Sequence, residues 1–100
     1  MRPQSLRWRF PKAYYALVAR CQTEGVQAYD ITAVVGFLRP GESTLTITVG
    51  QKSERWEKAC LNADLEQVTD PIIRFFDNVA GKARKVISEA YLIEMTHRQV

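Results

Sequence analysis

A chain of 100 residues, 46% of them hydrophobic, has room for one compact domain spanning residues 1–100, and no space for a second independent module. Charged residues make up 25% while Gly and Pro number only 5 and 4, which excludes a disordered or low-complexity chain. The formal net charge of +3 is modest but unevenly spread, because no acid precedes Glu24 whereas Arg2, Arg7, Arg9, Lys12 and Arg20 all do.

The first pattern is Ser5 to Phe10, where Leu6, Trp8 and Phe10 alternate with Ser5, Arg7 and Arg9 and so predict a short strand. Pro11 suits the first turn of a helix, where its missing N–H has no intrahelical partner to lose. Tyr14, Leu17, Val18 and Cys21 follow at helical spacing, and Gly25 supplies a stop, so the helix runs from Lys12 to Thr23. Lys12, Arg20 and Gln22 fall on its outer side.

Tyr29 to Gln51 carries the clearest periodicity. Tyr29, Ile31, Ala33, Val35 and Phe37 fall on one side of a period-two pattern, and Leu45, Ile47 and Val49 repeat it after Arg39-Pro40-Gly41-Glu42. This is a β-hairpin with one apolar face, a Pro-Gly turn, and Thr44, Thr46 and Thr48 on the opposite face. Gly50 to Ser53 then reads as a connection. Ser53 as N-cap, with Glu54 and Glu57 in the first turn, predicts a helix carrying Trp56, Cys60, Leu61, Leu65 and Val68 on one face. Asn62-Ala63-Asp64 marks a point where it can be interrupted. Thr69-Asp70-Pro71 is a firm boundary, because a residue before proline is pushed out of the α region.

From Ile72 onward Phe75, Phe76, Val79, Ala83, Val86, Ile87, Ala90 and Ile93 keep one helical stripe in phase, which predicts the main helix. Gly81 weakens it, and the rival reading makes Val86 to Met95 a strand. Arg74, Asn78, Lys82 and Lys85 line up on the outer side as a basic ridge. The assembled expectation is an α+β two-layer sandwich of order β-α-β-β-α-α, a small antiparallel sheet with helices packed on one face.

Candidate chemistry is sparse. Cys21 and Cys60 lack a metal or nucleophile spacing and read as buried thiols; His97 sits alone near the C-terminus. No phosphate-loop, dinucleotide, zinc-protease or calcium motif is present. No apolar run has the length of a signal or membrane segment, so the expectation is a cytoplasmic protein with no membrane partner.

Asp64, Glu66, Asp70, Asp77 and Glu89 raise the reading of a metal-dependent nuclease. Asp64-Leu65-Glu66-Gln67 with Asp77 and Glu89 loosely resembles the aspartate pattern of RusA-type Holliday-junction resolvases. That family has an Asp-x-Asp-Asn core and a later Asp pair, where this chain has Glu66-Gln67 and Ser88-Glu89 at different spacing. The acids are therefore assigned to helix caps and solvated faces, with no catalytic residue, metal or cofactor.

Arg7-Trp8-Arg9-Phe10-Pro11-Lys12 points instead to binding. Cations neutralise phosphates with release of counterions, and aromatic faces stack on unpaired bases. The alternation, however, points Trp8 and Phe10 into the core, which leaves Arg7 and Arg9 for contact or, on the rival reading, as charges that guard an edge strand. The sequence reading is a non-enzymatic nucleic-acid-binding protein using Arg7, Arg9, Lys12 and Arg20 with the ridge at Arg74, Lys82 and Lys85. The alternative is a protein-interaction module, an adaptor or inhibitor, whose partner is a protein target or a second copy of the chain forming a dimer.

Overall fold

A computed structural model of the chain describes residues 2–50 and 54–98, with side-chain environments up to residue 89. The elements are β1 (Gln4–Ser5), α1 (Leu6–Arg9), α2 (Pro11–Thr23), a single 3-10 turn (Ala28–Asp30), β2 (Ile31–Arg39), β3 (Glu42–Val49), β4 (Glu54–Leu61), α3 (Asn62–Gln67) and α4 (Asp70–Arg98). The strands form one antiparallel sheet in the order β1-β2-β3-β4. The helices cover one of its faces. This is the expected α+β sandwich, with one more strand and one fewer long helix than the pattern suggested.

The hairpin forms as its alternation dictates. Ile31 stands opposite Val49, Ala33 opposite Ile47 and Val35 opposite Leu45. Gly41 has φ of 79°, the conformation that glycine reaches without a Cβ penalty. Leu38 is skipped in the pairing between Phe37 and Arg39, a bulge beside the turn. Two residues assigned to the apolar face are uncovered: Tyr29 lies in the 3-10 turn, 86% exposed, and Phe37 lies at the hairpin tip, 61% exposed.

Two segments differ from expectation. Ser5 to Phe10 is not a strand beyond Ser5; it turns into α1, where Leu6 and Phe10 at helical spacing both enter the core and Trp8 faces solvent, 85% exposed. The stretch after residue 53 is β4 rather than a helix, and Trp56, Lys58 and Cys60 face inward while Arg55, Glu57, Ala59 and Leu61 face out. The cause is tertiary. Leu45, Ile47 and Val49 on β3 are fully buried, so the backbone groups they turn away from β2 need partners, and only a further strand supplies them. Ser53, assigned as a helix cap, lies outside the described residues.

Helix α2 ends in a Schellman motif. Val26 N–H donates to Cys21 O at 2.8 Å and Gly25 N–H to Gln22 O at 3.0 Å, with Gly25 at φ 78° and Val26 buried against the core. Helix α3 ends at Val68, whose φ of 54° is unusual for a β-branched residue and whose side chain packs on the core. Helix α4 then runs unbroken through Gly81, and Val86 to Met95 is helical. The expected stripe positions Ala90 and Ile93, and His97, lie beyond the described side chains.

The core joins the inner sheet residues Val35, Leu45, Ile47, Val49 and Cys60 to Leu6 from α1, Phe10 between α1 and α2, and Leu17 from α2, and to Ile72, Phe76 and Val79 from α4. Burying a leucine, isoleucine or phenylalanine side chain stabilises by about 1.5–3 kcal/mol. Cys21 and Cys60 are both free and buried. Burial pushes each thiol up to about 11; at Cys60 the Asp64 carboxylate adds to this and Lys58 opposes it. Neither thiol is therefore expected to react with an aromatic disulfide reagent in the native protein at pH 8, and both should react at once on denaturation. The sign for stability follows from the same shifts. The unfolded thiols ionise near pH 9 and the folded ones near pH 11, so the thiol contribution is complete below pH 9 and is lost as pH rises through 11.

Candidate nucleic-acid interface

The first part of the stretch that lacks acids, from Arg2 to Arg9, lines one end of the sheet. Helix α1 is a single turn held by Phe10 N–H donating to Leu6 O at 2.8 Å, and burial of Leu6 and Phe10 fixes its orientation. Arg7, Trp8 and Arg9 are consequently turned outward, and Lys12 is exposed in the first turn of α2. Arg7 lies 5.9 Å from the Tyr14 ring centroid and Arg9 lies 4.9 Å from that of Phe10, contacts that hold both guanidinium planes against the surface.

Arg9 is the hinge of two shallow depressions. One is lined by Gln4, Ser5, Trp8 and Arg9. The other is lined by Arg2 and Arg9 with Phe37, Ser43 and Asn62 among its neighbours. The second has a firm floor, because Ser43 Oγ donates to Asn62 Oδ1 at 2.6 Å and Asn62 N–H donates to Gly41 O at 2.9 Å, tying the start of α3 to the hairpin turn. Two cations and two exposed aromatic rings are thus gathered on one end of the sheet. Phe37 was not singled out from the sequence, whereas Arg2 and Trp8 stood in its basic and aromatic stretch without being assigned to the site. The signal available for Trp8 was its position midway between Leu6 and Phe10; for Phe37, its place beside the turn.

The remaining basic positions lie elsewhere. Arg20, half-buried on α2, has its Nε 3.0 Å from Asp77 Oδ1 and donates to Ala16 O from a second nitrogen at 3.3 Å, so its charge is already matched across the α2–α4 contact. Arg84 Nη1 lies 3.4 Å from Glu24 Oε2 one step further along the same contact. Arg20 with Asp77 and Glu24 with Arg84 advance together, so the two helices run side by side in the same direction. Arg74, Lys82 and Lys85 are all exposed on α4. Lys82 and Lys85 therefore sit near the far end of α2 from Lys12, roughly 18 Å away along the helix at 1.5 Å per residue. The N-terminal block and the far part of the ridge are two separate basic areas.

The acids do not converge. Asp77 pairs with Arg20, Asp70 opens α4, and among the described residues no three His, Cys, Asp or Glu side chains are placed to hold a metal ion. Among the same residues no helix is long and apolar enough to cross a membrane. Comparison of the chain with protein-family models, with curated proteins and with solved structures returned no match.

Proposed function

We propose that this chain is a non-enzymatic binding domain that docks single-stranded nucleic acid on the end formed by Arg2, Arg7, Trp8, Arg9, Lys12 and Phe37. The observation that carries this reading is Trp8, 85% exposed between two exposed arginines in a turn whose other aromatic is buried. An indole in that position presents a flat face free for stacking, and an unpaired base can stack on it while the flanking guanidinium groups meet its phosphates. Duplex DNA keeps its bases stacked and leaves the indole unused. Arg74, Lys82 and Lys85 lie outside this footprint and act as longer-range attraction for the same polyanion.

The test is a salt series of binding to labelled single-stranded and double-stranded DNA and RNA of equal length. Single strands should bind more tightly than duplex at every salt concentration. The logarithm of affinity should fall with that of salt by about 0.7 for each phosphate neutralised. Affinity indifferent to salt, or none at low salt, would sink the nucleic-acid reading. It would favour a protein target for the apolar tip at Phe37, Leu38 and Leu61, which are 61%, 39% and 51% exposed.

A further inference from the structure

The sheet ends at β4, and among the described residues no strand pairs with its outer edge. The phase of the ladder says which backbone groups are left there. Asn62 N–H donates to Gly41 O, one step beyond the Leu61 and Glu42 pair, and hydrogen-bonded pairs recur at every second residue of an antiparallel ladder. Trp56, Lys58 and Cys60 therefore direct their N–H and C=O groups to β3, while Arg55, Glu57 and Ala59 direct theirs outward. Such a row is a template for another strand.

A second copy of the chain fits that row in one register. When two β4 strands pair about a two-fold axis normal to the sheet, the helices of both copies stay on one side, and residues opposite each other belong to the same face. An axis at Arg55, Glu57 or Lys58 sets that residue against its own like charge. An axis at Ala59 leaves Glu57 opposite Leu61 and matches no charges. An axis at Trp56 sets Glu54 against Lys58 and Arg55 against Glu57, each twice. Arg55 and Glu57 then exchange both backbone hydrogen bonds. Trp56 meets its own copy at the closer, non-hydrogen-bonded site, where cross-strand side chains approach most nearly.

We propose that the chain forms a two-fold dimer by antiparallel pairing of β4 with β4 of a second copy, centred on Trp56, so that one continuous sheet crosses the axis. The dimer does not depend on the nucleic-acid reading, since the Trp8 and Arg9 patch lies on the opposite side of the sheet order, beside β1.

Sedimentation equilibrium over a concentration series tests it. The unmodified chain should dimerise with rising concentration. Arg55→Glu alone, and Glu57→Arg alone, each set like charges opposite one another at two sites, and each should raise the dissociation constant by about tenfold or more. Mixed in equal amounts, the two variants present opposite charges at both sites and should dimerise together as the unmodified chain does. The intrachain contact between Arg55 Nε and Glu57 Oε1, 3.5 Å, is lost in both variants and mixing does not restore it, so rescue on mixing reads the interface alone. An unmodified chain that stays monomeric, single variants that dimerise undiminished, or a mixture without rescue would each overturn the proposal. A dimer indifferent to both substitutions would use another surface.

Discussion

Replacing Phe76 with alanine is expected to remove about 3–5 kcal/mol of stability, the range for truncating a fully buried aromatic ring. Phe76 is 0% exposed in the part of α4 that packs on α2, β3 and β4. Deleting it therefore opens a cavity that touches both layers at once. Domains of this size have total stabilities of about 5–15 kcal/mol, so the loss is a large share of what holds the chain folded. At roughly 4–8 °C per kcal/mol the melting temperature should fall by at least about 12 °C. The neighbouring Phe75 is the internal control. Its ring stands 6.2 Å from that of Phe76 but is only half-buried, with Lys58 Nζ 5.9 Å from its centroid. Phe75→Ala should cost distinctly less, because water already reaches the ring. Urea denaturation followed by circular dichroism measures both variants. Equal losses in the two would mean that burial on this face of α4 does not set the stability of the fold.

The stripe that places Phe76 in the core was readable from the sequence, and so was the hairpin, because each repeats its period many times; only over Val86 to Met95 did a strand compete, and there the helix continues. Ile31 to Val49 alternates over two arms with a Pro-Gly turn between them, and its observed register matches apolar residue to apolar residue. The two misread segments are shorter. Leu6, Trp8 and Phe10 alternate, yet Leu6 and Phe10 are also one helical turn apart, and six residues do not separate the two periods. Trp56 and Cys60 pose the same ambiguity with the same spacing. What decided the second case was the demand of buried β3 for a partner on its free side, information that lies outside the stretch itself. The candidate site was legible in part for a similar reason. Arg7, Arg9 and Lys12 stand in a block without acids, and all three are exposed. Arg20 looked equally free, but its match with Asp77 depends on how α2 and α4 pack, which no local pattern encodes. Phe37 is uncovered at the hairpin tip beside the bulge at Leu38, and where the layers end is too a property of the assembled fold.

The second large effect is expected at Trp8. Trp8→Ala should weaken binding of single-stranded nucleic acid by about 1–3 kcal/mol, a factor of roughly 5 to 150, as the loss of one stacking platform does elsewhere. Because the side chain is 85% exposed, the substitution should leave the melting temperature nearly unchanged, so weaker binding cannot be traced to unfolding. The salt dependence separates stacking from charge. Removing the indole takes away no cation, and the slope of affinity against salt should stay as it was. The paired substitution of Arg7 and Arg9 by alanine should behave in the opposite way, reducing that slope by about 1.4 as two phosphate contacts of a single strand are lost. Trp8→Phe keeps a flat face and should recover part of the affinity. If Trp8→Ala binds as tightly as the unmodified chain while the double arginine variant is weakened, the surface attracts phosphate without reading bases. If both variants bind unchanged, this end of the molecule is not where nucleic acid docks.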